Sequence, residues 1–283
     1  MSLTPDTILK QSLELFSPPL VYTRLNALLS EANPSANDIG HIINTDPALT
    51  ARLLRVVNSS YYGFPSQIDT TSRAVAIVGI KELTQIVLAT SVIGTFPGLP
   101  SDLMAIDDFW RHSLACAITA NLLAKANNHR EPEQLFIAGL LQNIGSLVLY
   151  QSVPELAKEA ITNALFGQQT LYEAEQALLG FDHSEMGAVL AEKWQLPPVL
   201  INTIRYHHRP MAAKHFSREV AIVHIADILV SGAAIFGHAG DRYVAKLSPD
   251  AWQQLNIDIT QCPMILQQVS DKIDDLLSAL ITA

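Results

Sequence analysis

INTDPALTARLLRVVNSSYYGFPSQIDTTSRAVAIVGIKEL, residues 43–83, carries helix punctuation around each of its apolar runs. Asp46 precedes Pro47, which puts a capping carboxylate on the orphan amides of a helix start and a proline where its missing N–H does no harm. Leu49, Leu53, Leu54, Val56 and Val57 then recur at helical spacing and face inward, with Arg52 and Arg55 toward the other side. Asn58–Ser59 reads as the turn that closes this helix. Tyr61, Tyr62, Phe64 and Pro65 follow as an aromatic cluster in a loop, suited equally to anchoring a core or facing a partner. A short helix over 71–78 ends at Gly79, and the next runs to Ile93 before Gly94, because glycine is favoured just past a helix end.

The same spacing continues outward. Ser35 with Asp38 opens an earlier helix, and further helices are expected over 107–127, 132–150, 154–165, 171–179, 184–194, 198–206 and 218–235. Pro249 opens a short helix, and a terminal one runs over 261–281. Asp182 and Glu185 have capping-box spacing, which places His183 in the first turn of its helix. No stretch alternates as a half-buried strand does, so the fold class is all-α. Residues 95–101, with Pro97, Gly98 and Pro100, break the helical pattern and divide the chain into expected subdomains 1–97 and 98–283.

Composition excludes several classes. Hydrophobic residues make up 49% and charged residues 16%, a balance that builds a large buried core. The net charge of -9, without any basic run, argues against nucleic acid as a partner, since phosphate neutralisation needs clustered Lys and Arg. Cys116 and Cys262 have no metal-type or disulfide-type spacing and read as buried free thiols. The apolar segment 220–237 nears the length of a membrane span, but His224 and Asp227 within it favour a buried helix, so no membrane insertion is expected. Residues 1–10 lack a basic region followed by an apolar stretch, and the cytoplasm is the expected compartment.

Chemistry-bearing residues concentrate in the second half: His112, His183, the pair His207 and His208, and Asp227. Any one of these histidines alone is more readily a hydrogen-bonded core or surface residue. Together with a carboxylate inside an apolar helix they are the ligand types of a divalent transition-metal site.

HSEMGAVLAEKWQLPPVLINTIRYHHRP, residues 183–210, resembles the segment of HD-superfamily phosphohydrolases that supplies the later histidines. WRHSLACAITANLLA from Trp110 resembles the helix of the first histidine, and HIADILV from His224 that of the final aspartate. The family's signature His-Asp pair falls within AGLLQNIGSLVL from Ala138, where this chain has Gln142 and Asn143. Neutral amides are weak donors to such metals and lack the anionic charge that holds the cluster. The GYP signature of the cyclic-dinucleotide-cleaving branch is also absent, since 209–216 reads RPMAAKHF.

Residues 43–83 themselves resemble the HDOD family's DPaL...LL...NS...G......I.....A...lG pattern, and with the histidine segments the resemblance covers roughly residues 18–230. It implies an N-terminal helical bundle packed on a degenerate HD-like bundle, a bacterial origin, and a signal-transduction role in which catalytic residues are often degraded. The expectation is a non-catalytic regulatory module that binds a signalling protein or a small effector and needs no cofactor. The alternative is a metal-dependent phosphohydrolase with an altered centre, in which His112, His183, His207, His208 and Asp227 hold one divalent ion.

Overall fold

The computed structural model describes residues 3–12, 16–30, 35–96, 98, 103–234, 236 and 243–281. Among them the regular structure is helical throughout. In chain order the α-helices are α1 (Pro5–Gln11), α2 (Leu20–Leu29), α3 (Ala36–Ile43), α4 (Pro47–Val57), α5 (Thr71–Val78) and α6 (Ile80–Thr95). They continue as α7 (Ile106–Ala126), α8 (Pro132–Leu141), α9 (Ile144–Ser152), α10 (Pro154–Gly167) and α11 (Leu171–Leu179). The last are α12 (His183–Lys193), α13 (Pro198–Tyr206), α14 (Ser217–Ala233), α15 (Pro249–Leu255) and α16 (Cys262–Ile281).

The chain groups into two compact units, and the grouping is not sequential. Met1–Phe16 joins Gly98–Val269, while Ser270–Ala283 joins Ser17–Pro97, so the two ends of the chain depart from a division into 1–97 and 98–283. Of the residues expected to break the pattern there, Gly98 is described, whereas Pro97, Pro100 and Ser101 lie outside the described residues.

In the smaller unit, α2 to α6 pack as a bundle. Asp46 caps α4 by accepting the Leu49 amide at 3.0 Å. Leu49, Leu53, Val56 and Val57 are buried, while Leu54 is only half-buried. Asn58 acts as a clasp: its amide nitrogen donates to the carbonyls of Leu54 and Ile68, both at 2.7 Å, and its oxygen accepts the Ile68 amide at 2.7 Å. These bonds close the loop that holds the half-buried aromatics, where Tyr61 meets Tyr62 edge-on at 5.0 Å and Tyr62 stacks on Phe64 at 5.8 Å. Helix α6 does not stop at Ile93 but runs through Gly94 to Thr95. Gly94 gives room for a side chain instead, since a Cβ there would lie 3.2 Å from the Arg52 guanidinium.

The larger unit is built on α7, which packs against α8 and α14. The single helix expected over 132–150 is two helices, α8 and α9, with a turn at Gln142–Asn143. Each half follows a different neighbour. A Cβ on Gly139 would sit 2.7 Å from the Cys116 carbonyl oxygen on α7, and one on Gly145 would sit 2.0 Å from the His183 oxygen on α12. Backbone contact this close on two different partners leaves the break between them. The stretch Pro132–Ser152 is long and apolar enough to cross a membrane, but 83% of its most apolar window is buried inside the protein, as in a core helix. The segment expected over 220–237 is helical only to Ala233, is buried from Val220 to Asp227, and includes Ile235 and Gly237, which lie outside the described residues.

Candidate functional site

Two polar groups occupy the interior of the larger unit. The first is gathered by the start of α12. Asp182, fully buried, caps that helix through the amides of Ser184 at 2.8 Å and Glu185 at 3.0 Å, which makes His183 its first residue. Burial alone would raise the Asp182 pKa, but the adjacent His183 and the hydrogen bonds from Ser184 and Gln176 hold it below the ordinary carboxylate value. The first-turn amide of His183 has no partner within the helix, and Glu175 on α11 accepts it at 2.8 Å. The same Glu175 oxygen accepts Nδ1–H of the His183 ring at 2.6 Å. This leaves Nε2 of His183 facing Nε2 of His208 at 2.8 Å.

His207 completes the trio at the C-terminal end of α13. Its Nδ1 donates to the Ile204 carbonyl at 2.8 Å, so Nε2 carries a bare lone pair, buried and without a hydrogen-bond partner. Burial and the nearby His183 push the His207 pKa down to about 4. Desolvation and the neighbouring imidazoles of His207 and His183 drive His208 well below the ordinary value. Ligand atoms of His183, His207 and His208 all lie within 4.8 Å of one another.

The second group lies on α7 and α14. Asp227 Oδ1 receives Nε2–H of His112 at 3.2 Å and the Gln142 amide at 2.9 Å, with the Cys116 thiol at 3.8 Å. His112, Cys116 and Asp227 also bring their ligand atoms within 4.8 Å of one another. Burial would raise the Asp227 pKa, but the hydrogen bond and charge of His112, with His207 and His224 nearby, bring it below the ordinary value. Burial and the Asp227 charge push the Cys116 thiol well up.

The sequence-predicted residues are thus placed in two groups: His183 with His207 and His208, and His112 with Asp227 and Gln142. Asn143 is buried with its side-chain oxygen unpartnered, as are Gln142 Oε1 and His112 Nδ1. His224 stands apart in role. Its Nδ1 donates to the His207 carbonyl at 2.7 Å and its Nε2 accepts the Ser248 amide at 3.0 Å, which spends both ring nitrogens on structure.

Two contributors were not legible as site residues. Cys116 read as a buried free thiol, which it is, and its spacing of four from His112 on one helix face was available as a signal of more. Glu175 carries no motif, and only the packing of α11 on α12 brings it to His183.

The donor set fits a divalent transition metal at the histidine trio. Three imidazoles are ligands of the right type, His207 presents an orphaned lone pair, and Glu175 behind His183 is the carboxylate–imidazole arrangement that orients metal-bound histidines.

Solved structures share this fold. The crystal structure of a "Putative phosphohydrolase" from Shewanella amazonensis SB2B superimposes with a TM-score of 0.76 at 24% identity, covering 96% of this chain and 97% of that one. An HDOD domain protein of unknown function from Geobacter sulfurreducens gives 0.75 at 22% identity, covering 98% of this chain and 97% of that one. A "Putative signal transduction protein" from Marinobacter aquaeolei VT8 gives 0.75 at 20% identity, covering 95% of this chain and 60% of that one. In sequence, an uncharacterized protein of Treponema pallidum (strain Nichols) is 28% identical over 200 residues, which are 69% of this chain and 38% of that protein's length. The family model for the HDOD domain matches residues 15–210, well over half of the 283 residues, and the chain belongs to the HDOD domain family.

Proposed function

We propose that this HDOD protein is a regulatory module that binds a signalling protein or a small effector and does not hydrolyse phosphate esters. The hydrogen bond from Gln142 to Asp227 carries this reading. In HD-superfamily enzymes the position of Gln142 supplies a metal-ligating histidine. Here an amide N–H points at the carboxylate and, with His112, supplies the hydrogen bonds that a buried Asp227 needs. Asp227 then has donors without a cation, and helix packing survives where metal-centred hydrolysis does not. The family membership and the fold shared with the Marinobacter protein support a signalling role.

A second reading has its own observation. The orphaned His207 Nε2 beside His183 and His208 suits a single divalent ion, which would supply Lewis acidity in a phosphohydrolase with an altered centre. Metal analysis after gel filtration, paired with a phosphatase and cyclic-dinucleotide screen, separates the two. The regulatory reading expects no metal-stimulated turnover. Turnover that disappears in both His112→Ala and His207→Ala would replace it with the enzymatic one.

A further inference from the structure

The smaller unit contains a cleft of about 510 Å³ between the starts of α2 and α4 and the end of α6, lined by none of the histidines discussed above. Arg52 lines it, and among the described residues nothing pairs with that guanidinium: its Nε is buried with no hydrogen-bond partner, and no carboxylate forms an ion pair with it. A buried donor without an acceptor costs free energy, more so on a charged group, and the expected remedy is a ligand that accepts. Gly94 reinforces this. Glycine inside a helix costs about 1 kcal/mol relative to alanine, yet it stands in α6 where a Cβ would lie 3.2 Å from the Arg52 guanidinium.

The surroundings share the same sign. Helix α2 begins at the cleft without any side-chain cap on its first amides and without an acidic residue in its first turn, so its positive end is uncompensated. Arg24, one turn further along α2, lines the cleft as well, as does Ser91. Asp46 is the opposing charge, and one oxygen of its carboxylate caps α4 at the Leu49 amide. Two arginines against one aspartate leave a net single positive charge, which suits one oxyanion head and not a polyanion. The remaining wall mixes the hydroxyls of Thr45 and Thr95 with apolar Pro19, Leu20, Pro47 and Leu49, and Leu20 is 62% exposed at it. The volume lies within the roughly 300–1,000 Å³ of small-molecule sites and exceeds what a bare inorganic anion fills.

The geometry points to an effector site in this cleft for a small organic phosphate or carboxylate, its oxyanion on the Arg52 fork and its apolar body against Leu20 and Leu49. The inference rests on the regulatory reading above only for calling the ligand an effector. Titration calorimetry with phenyl phosphate, benzoate, inorganic phosphate and inorganic pyrophosphate tests it and distinguishes the two head groups. Saturable binding of phenyl phosphate or benzoate is expected, tighter than that of either inorganic anion, with amide shifts at Leu20, Val21 and Ser91.

Arg52→Gln should weaken that binding about ten-fold or more, the scale of a charged hydrogen-bonding group, and Arg52→Lys should recover part of it. Arg24→Ala, on the exposed rim, should cost a few-fold and tests the cleft even where Arg52→Gln fails to fold. Absence of saturable binding to the parent protein overturns the site, as does binding that Arg52→Gln and Arg24→Ala both leave unchanged. Binding lost in His207→Ala but kept in Arg52→Gln also overturns it and moves the ligand to the histidine centre. Metal-stimulated phosphate release from phenyl phosphate, abolished by His207→Ala, would defeat the non-catalytic reading alone, and Arg52-dependent binding would still establish the cleft.

Discussion

At the scale of single residues, Gln142 and Asn143 are buried amides, and Gln142 donates to Asp227. The double change Gln142→His with Asn143→Asp puts an imidazole and a carboxylate on adjacent positions beside His112 and Asp227. Its affinity for a divalent metal should rise by at least on the order of ten-fold, since changes to outer contacts alone move metal affinity by about that much. Calorimetric affinity and metal content against the parent check this, and an unchanged affinity in a folded variant would remove these positions from the degenerate centre. Protons act on the histidines of the same interior. His207 titrates at about 4 when folded against an ordinary 6.5, so between those values the unfolded chain binds more protons and stability falls as pH drops. The effect is on the order of 3 kcal/mol. His208 and His224 are shifted down as well and act in the same direction, and Asp227, also lowered, adds to it below its ordinary carboxylate value. Urea unfolding at pH 7, 6 and 5 should show this decline, His207→Gln should flatten it, and a level profile for the parent would contradict it.

At the scale of elements, the site depends on backbones that touch. Helices α9 and α12 meet at Gly145 and Gly187, where a Cβ on Gly145 would fall 2.4 Å from the Gly187 nitrogen. Gly145→Ala therefore has to separate the two helices and shift His183, at a cost of about 3 kcal/mol. The urea midpoint reads the loss, and a cost below about 0.5 kcal/mol, the range of neutral surface changes, would mean the contact is not tight. In the smaller unit the Asn58 clasp plays a comparable part. Asn58→Ala removes three side-chain hydrogen bonds, two with Ile68 and one to the Leu54 carbonyl of α4, and a loss of about 2 kcal/mol is expected in the same measurement.

At the scale of the whole molecule, each unit is completed by a segment distant in sequence. Residues 270–283 belong with 17–97, where Asp275 accepts the Ser60 amide at 2.6 Å, Arg55 donates to the Ala279 carbonyl at 3.4 Å and the Lys272 ammonium lies 5.4 Å from the Tyr61 ring centre. Ending the chain at Val269 would also remove the buried side chains Ile273, Leu276 and Leu280, worth on the order of 5 kcal/mol together. Hydrogen exchange should then quicken first in α2 to α6, ahead of α7 and α12. Equal protection of both units after truncation would show that the terminal segment does not hold the smaller one.

Local signals carried much of this protein. Caps at Ser35, Asp46 and Asp182, the glycine after Val78 and the three- and four-residue spacing of apolar side chains are properties of neighbouring residues, and they set the all-α fold and most helix ends without reference to distant parts. The motifs likewise separated His183, His207, His208, His112 and Asp227 from the rest of the chain. Tertiary structure decided what periodicity does not encode. The stretch 132–152 is apolar on every side, so only its close contacts with α7 and α12 show that it breaks at Gln142–Asn143. Glu175 reaches His183 through the packing of one helix on another, and Gly94 serves Arg52 instead of ending a helix. Hydrogen bonds and close contacts depend on distances between residues far apart in sequence, and those distances exist only once the chain has folded.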